Sequence, residues 1–269
     1  MQIHQVIQMI GKCIKPSSLT KLEESGINTM EIGFRIDYDY PWHTTPIDVI
    51  PFAATGGDAC HFGFITDFGK TLDLDKAPIV FCSPTDYDEQ RPQYGNILFA
   101  KNFIDFLSIM TQITYAEIIR FENPRQFDYQ KAIKEIKSER LENETITQME
   151  VIGQISSIIN LNNIVDYHNY YNELYEMRST DKFVKTKDEI NILCETSPAE
   201  IQELKNDLEP DELDMWLESV NRISRLKFYR DINTIYGGHI YDDIASVVVK
   251  HLEEDKLNYE AKFMIRKMN

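Results

Sequence analysis

The stretch that decides the fold is Ile47-Asp48-Val49-Ile50-Pro51-Phe52-Ala53-Ala54, then Thr55-Gly56-Gly57-Asp58, then Cys60-His61-Phe62-Gly63-Phe64. Two short runs of β-branched and aromatic residues flank paired glycines, which supply the positive φ angles a hairpin turn needs. The reading is an antiparallel strand pair. Working outward, residues 31–38 alternate in part, with Ile32, Phe34, Ile36 and Tyr38 on one face, as in a half-buried strand. Residues 77–82 form a compact apolar run closed by Ser83-Pro84-Thr85-Asp86, which predicts another strand. Phe103, Phe106, Leu107 and Met110 recur at helical spacing, so an amphipathic helix over residues 101–111 closes the unit.

Further along, the periodicity becomes helical. Several helices with polar joints are expected between residues 128 and 208. Ser197-Pro198-Ala199-Glu200 carries an N-cap serine, a proline at the first helical position and a glutamate three after the cap, and predicts a helix start. Pro210 opens the next helix, in which Leu213, Trp216, Leu217, Val220 and Ile223 form one stripe, with Glu218 and Arg222 on the outer face. Gly237-Gly238 breaks the run, and Ile244, Val247, Val248 and Leu252 mark a last helix. The predicted fold class is α+β: an N-terminal antiparallel sheet with flanking helices over residues 1–115, and an all-helical C-terminal domain over residues 116–269 packed on it. Asn123-Pro124 is a joint near the boundary, not a flexible tether.

Composition narrows the function. The 269 residues are 42% hydrophobic and 27% charged, which excludes a disordered chain and leaves no apolar stretch near 18 residues for a membrane span. A net charge of −16, negative in both halves, repels phosphate backbones and favours basic partners, so generic nucleic-acid binding is not expected. Cys13, Cys60, Cys82 and Cys194 match no zinc or redox spacing, and the N-terminus has no signal-like basic and apolar segments. Reduced thiols in a cytoplasmic protein are the simplest reading.

No catalytic constellation emerges. Gly69-Lys70-Thr71 resembles the end of a phosphate-binding loop, but position 64, where the first glycine belongs, is Phe, and Asp73 and Asp75 follow, so a turn between strands is the simpler reading. Cys60 and His61 are neighbours in a strand and point to opposite faces, and there is no G-x-S-x-G elbow. His239 and Asp243 lie four apart with no second pair to complete a metal site, and His251 reads as a packing residue. Arg222, Arg225, Lys227 and Arg230 read as helix-surface charge, and Tyr167, Tyr170, Tyr171 and Tyr175 as core or interface. No metal and no cofactor are expected.

Residues 45–110 resemble the SUKH superfamily, which groups a fungal cell-wall regulator with many bacterial immunity proteins. The resemblance rests on Ile50-Pro51-Phe52-Ala53, on Gly56-Gly57-Asp58 with the strand Cys60-His61-Phe62-Gly63-Phe64 ending in Asp67 and Gly69, on Ala77-Pro78-Ile79-Val80, and on the strand-to-helix ending Ile97-Leu98-Phe99-Ala100-Lys101-Asn102-Phe103-Ile104-Asp105-Phe106-Leu107. It implies a small α+β unit that binds another protein without catalysis, in many members a toxin. The acidic group Asp73, Asp75, Asp86, Asp88 and Glu89 reads either as a solvated rim or as an edge for a basic partner. The expected contact residues are Trp42, Asp58, Asp67, Asp86, Tyr87, Asp88 and Glu89, all at strand ends and loops. Two other readings stand beside toxin masking: a regulatory scaffold whose helical half holds a constitutive partner, and a hydrolase with an Asp/His site between the two parts.

Overall fold

Backbone pairing follows the apolar runs. The computed structural model describes residues 13–38, 42, 44–84, 95–113, 146–194, 200–204, 207–237 and 240–268. Strands β1 (Arg35–Ile36), β2 (Val49–Ala54), β3 (His61–Ile65), β4 (Ile79–Cys82) and β5 (Asn96–Ala100) form one five-stranded sheet in sequence order, every pair antiparallel. Before it come helix α1 (Ser17–Ser25) and a 3-10 turn, Thr29–Ile32, closed by Gly33 at φ 92. That turn shortens the strand expected over residues 31–38 to two residues, although Ile32 and Phe34 still enter the core at 0% exposure.

Strands β2 to β5 are buried at every position. A sheet covered on both faces shows continuous apolar runs and not clean alternation, which is what residues 77–82 display. On one face Phe52, Phe62 and Phe64 meet Phe103 and Phe106 of helix α2 (Phe103–Gln112), with ring centroids 4.9–6.1 Å apart. The side chain of Asn102 caps α2 by accepting the Asp105 N–H at 2.9 Å, so the helix starts two residues later than its periodicity suggests. Pro51 has no N–H to give the ladder, and the β2–β3 register shifts between Pro51 and Ala53.

The rest of the described residues are mostly helical: α3 (Ile146–Ile158), α4 (Tyr167–Met177), α5 (Pro210–Ser219), α6 (Arg222–Ile235), α7 (Asp242–Glu254) and α8 (Asn258–Met268), with a two-stranded hairpin of β6 (Phe183–Val184) and β7 (Ile192–Leu193) between α4 and α5. Three expectations need correction. Residues 200–204 are not helical, and Ser197 to Ala199 lie outside the described residues. The single helix expected after Pro210 is two, because the Asn221 side chain accepts the Ser224 N–H at 2.9 Å and starts α6 anew. The last helix is α8, not the one carrying Val247 and Val248.

Buried apolar residues from Cys13 to Met264 form one cluster across both parts. Helix α4 closes the β5 edge: the Tyr175 hydroxyl accepts the Leu98 N–H at 3.3 Å, and the Tyr170 hydroxyl accepts the Lys101 N–H at 2.8 Å. Edge amides that would otherwise template another strand are thereby satisfied. Among the described residues no helix is long and apolar enough to cross a membrane.

Two measurements test this packing. A Cβ on Gly63 would lie 2.3 Å from Val49 Cγ1 and 3.0 Å from the Ile50 carbonyl oxygen. Gly63→Ala should therefore lower the urea-unfolding free energy by about 1–3 kcal/mol. Glu260 on α8 is 4% exposed, and burial, with a contribution from Asp48, pushes its carboxyl up to about 7. The folded state thus holds that proton more tightly than the unfolded chain, so the associated stability is present in acid and is lost as pH rises through about 7. Glu260→Gln should remove this slope, and the stability difference between variant and wild type should grow in the variant's favour between pH 5 and pH 8 in urea titrations.

Candidate functional site

Antiparallel order sets Arg35, Ala54, His61, Cys82 and Asn96 in a row at one end of the sheet. The β2–β3 turn projects from that end. It closes through Thr55 N–H to the Cys60 carbonyl and Cys60 N–H to the Gly57 carbonyl, both at 3.1 Å. Gly56 takes φ 88, where only glycine is unstrained, and Asp58 and Ala59 follow at φ 49 and 56. Asp tolerates this region, whereas for Ala59 it costs roughly 1–2 kcal/mol, so something must hold it.

What holds it is His61. The imidazole is 0% exposed, with Nδ1 2.9 Å from the Ala59 carbonyl oxygen and Nε2 3.0 Å from Thr45 Oγ1. A carbonyl only accepts, so Nδ1 carries a hydrogen. The Thr45 hydroxyl oxygen in turn accepts the Trp42 N–H at 3.2 Å. One buried ring therefore ties the turn bearing Asp58 to the β1–β2 connection bearing Trp42. Both ends reach solvent: Asp58 is exposed and Trp42 is 39% exposed. Met30 lies over the same turn, its methyl carbon 3.2 Å from where a Cβ on Gly56 would sit, and is 42% exposed.

Asp86, Tyr87, Asp88 and Glu89 lie outside the described residues. The connection that contains them leaves from this same end: the Ser83 hydroxyl is 3.4 Å from Cys60 Sγ, and the Ser83 N–H donates to the Gly95 carbonyl at 2.8 Å. The sequence names Trp42 and Asp58 as expected contacts, whereas His61 reads there only as the strand neighbour of Cys60. The signal available was a polar residue opening an otherwise apolar strand.

Asp67 is not an exposed contact. It is 1% exposed and accepts two hydrogen bonds from the Arg178 guanidinium, at 2.6 and 3.2 Å, and one from the Leu193 N–H at 3.2 Å. Arg178 also donates to the Ile190 and Asn191 carbonyls, both at 2.7 Å. The basic cluster on α6 is divided: Arg222 stays exposed, Arg225 is half-buried, and Lys227 and Arg230 are internal and not surface charge. Arg230, fully buried, pairs with Asp48 and with Asp188 at 3.3 Å, Lys227 pairs with Asp231 at 2.6 Å, and Arg225 pairs with Asp255 at 2.6 Å. Burial raises the Asp48 carboxyl above its ordinary range, against the pull of Arg230.

The other motifs fall into place as structure. Residues 67–70 form a turn in which the Lys70 ammonium donates to the Leu193 carbonyl. His251 is buried and sits 2.7 Å from Asp214, which also holds Lys250, while His239 lies outside the described residues. All four cysteines are buried thiols. Among the described residues no three His, Cys, Asp or Glu side chains converge as metal ligands. The cleft beside Lys227 and Asp231, lined also by Gln202, Phe228 and Ile235, has a volume of about 10 Å³, room for about one water and not for a small-molecule ligand.

Removing one member of a buried ion pair strands the other. Asp67→Ala should cost about 3–5 kcal/mol in urea unfolding, whereas the double variant Asp67→Ala with Arg178→Met should cost less than Asp67→Ala alone. In comparisons with known proteins, no protein-family model matches the chain and no curated protein matches it.

Proposed function

We propose that this chain is a non-catalytic, cytoplasmic protein-binding protein that masks a basic partner, such as a toxin domain, with the His61 end of its sheet. The observation that carries this reading is the shared anchoring of Trp42 and Asp58 on one buried imidazole, with Met30 beside them. An exposed aromatic, a methionine and a carboxylate at one end of the sheet match the make-up of interface hot spots, where aromatic anchors supply contact area and charges supply register. Fixed turns lower the ordering cost of binding. The net charge of −16 steers a basic surface toward the protein from a distance. The five-stranded antiparallel sheet with a closing helix accords with the architecture that the SUKH resemblance implies.

The test places a photo-crosslinking residue at position 58 or at exposed Glu253 on α7, in cells that make the protein. The expected result is a basic protein captured from position 58 and not from position 253. With that partner purified, Trp42→Ala should weaken affinity by about tenfold or more, mainly through faster dissociation. Asp58→Asn should slow association, and added salt should erase that difference. Equal capture from both positions, or an unchanged affinity in Trp42→Ala, would overturn the reading.

A further inference from the structure

We propose that helix α8 is a proton-held strap: it packs against the start of β2 while the buried Glu260 carboxyl keeps its proton and lifts when that proton leaves, a conformational device independent of the binding surface described above. Glu260 sits in the first turn of α8 and is 4% exposed. Asp48, Asp67 and Asp231 are also buried, but each has its own arginine or lysine, whereas among the described residues Glu260 forms no ion pair. Its neighbour Tyr259 is 7% exposed and donates from its hydroxyl to the Val49 carbonyl at 2.9 Å, which sets this turn beside Asp48. A carboxyl so placed is tolerated neutral and costs free energy when charged.

The surrounding groups do not relieve that cost. From the β2 side comes the Asp48 carboxylate, which repels a second negative charge and is already paired with Arg230. From the segment before α1 comes the Cys13 thiol, 7% exposed, which burial and then Glu260 push up to about 11, so it stays neutral. From α6 comes exposed Arg222, whose attraction is the weakest influence on the carboxyl. Tyr259, with Arg266 of α8 near it, is kept neutral by burial. Helix α7, packed along α8, carries His251, engaged by Asp214 and Glu254, and precedes Asp255, engaged by Arg225.

With α8 lifted, the carboxyl meets water and returns from about 7 to its ordinary value of 4.5, so the docked state binds the proton more tightly. Docking is therefore complete in acid, weakens as pH rises above 4.5 and levels off above about 7. The movement is local, because a peripheral helix opens at a smaller free energy than the whole fold. It uncovers Tyr259, Phe263 and Met264, which are 7% exposed or less when docked, together with the Cys13 thiol.

Hydrogen exchange of the full chain, read by mass spectrometry at about pH 5 and about pH 7.5 and corrected for intrinsic exchange, tests this. Opening of α8 should rise about tenfold or more between the two, while α2, whose Phe103 and Phe106 are 0% exposed, keeps its protection. Glu260→Gln keeps the shape and cannot ionise, so its α8 should be equally protected at both. Iodoacetamide labelling of the wild type, quantified peptide by peptide, needs no variant: Cys13 should gain on Cys60, Cys82 and Cys194 as pH rises, since all four thiols are buried when α8 is docked. Equal protection of wild-type α8 at both pH values, or Cys13 labelling that does not gain on the other three, overturns the proposal. A pH response that survives in Glu260→Gln also overturns it by assigning the proton to another group such as His251, and a parallel loss of protection in α2 does so by making the transition global.

Discussion

Two buried arginine–carboxylate contacts fix how the helices dock on the sheet. Asp48 and Asp67 flank the β2–β3 pair at the end opposite the candidate site, and each takes a guanidinium from the helical part, Arg230 from α6 and Arg178 from the end of α4. Charges out of water are tolerated only when paired and hydrogen-bonded. Asp67 and Arg178 meet that condition almost completely, with the Leu193 N–H and the Ile190 and Asn191 carbonyls filling the remaining positions. Such contacts specify one docking of helices on sheet, because any shift would strand a charge. Lys70 to the Leu193 carbonyl, Asn233 to the Thr44 carbonyl at 3.0 Å and Tyr259 to the Val49 carbonyl at 2.9 Å extend the same seam with neutral acceptors.

Apolar packing supplies the bulk of the stability and works on a different principle. The phenylalanine layer between the sheet and α2 gains from area and from edge-to-face ring geometry, neither of which demands a single register. The ionic seam supplies that discrimination. The turn with Gly56, Gly57 and Asp58 is exposed at the other end of the β2–β3 pair, and there the polar relay through His61 orders the turns.

The contrast between the called contact residues makes the limits of sequence reading concrete. Asp58 and Asp67 look alike in the chain, each an aspartate at the end of a strand with a glycine close by. One is exposed on a turn and the other is 1% exposed against a guanidinium 111 residues away. Spacing within a strand carries no information about a partner so distant. The same holds for α6, whose Lys227 and Arg230 look like part of a solvated helix face until Asp48, Asp188 and Asp231 are set against them.

By itself the sequence determined the α+β class, the hairpin around Gly56-Gly57, the strand at residues 79–82 and the helix after Asn102, because local periodicity and turn chemistry act over a few residues. It also determined the acidity that favours a basic partner. Tertiary structure alone decided which charges are internal, where one helix ends and the next begins at Asn221, and that His61 joins Trp42 to Asp58. Those outcomes depend on hydrogen bonds and ion pairs between segments distant in the chain, whose energies exist only once packing has removed water from between them.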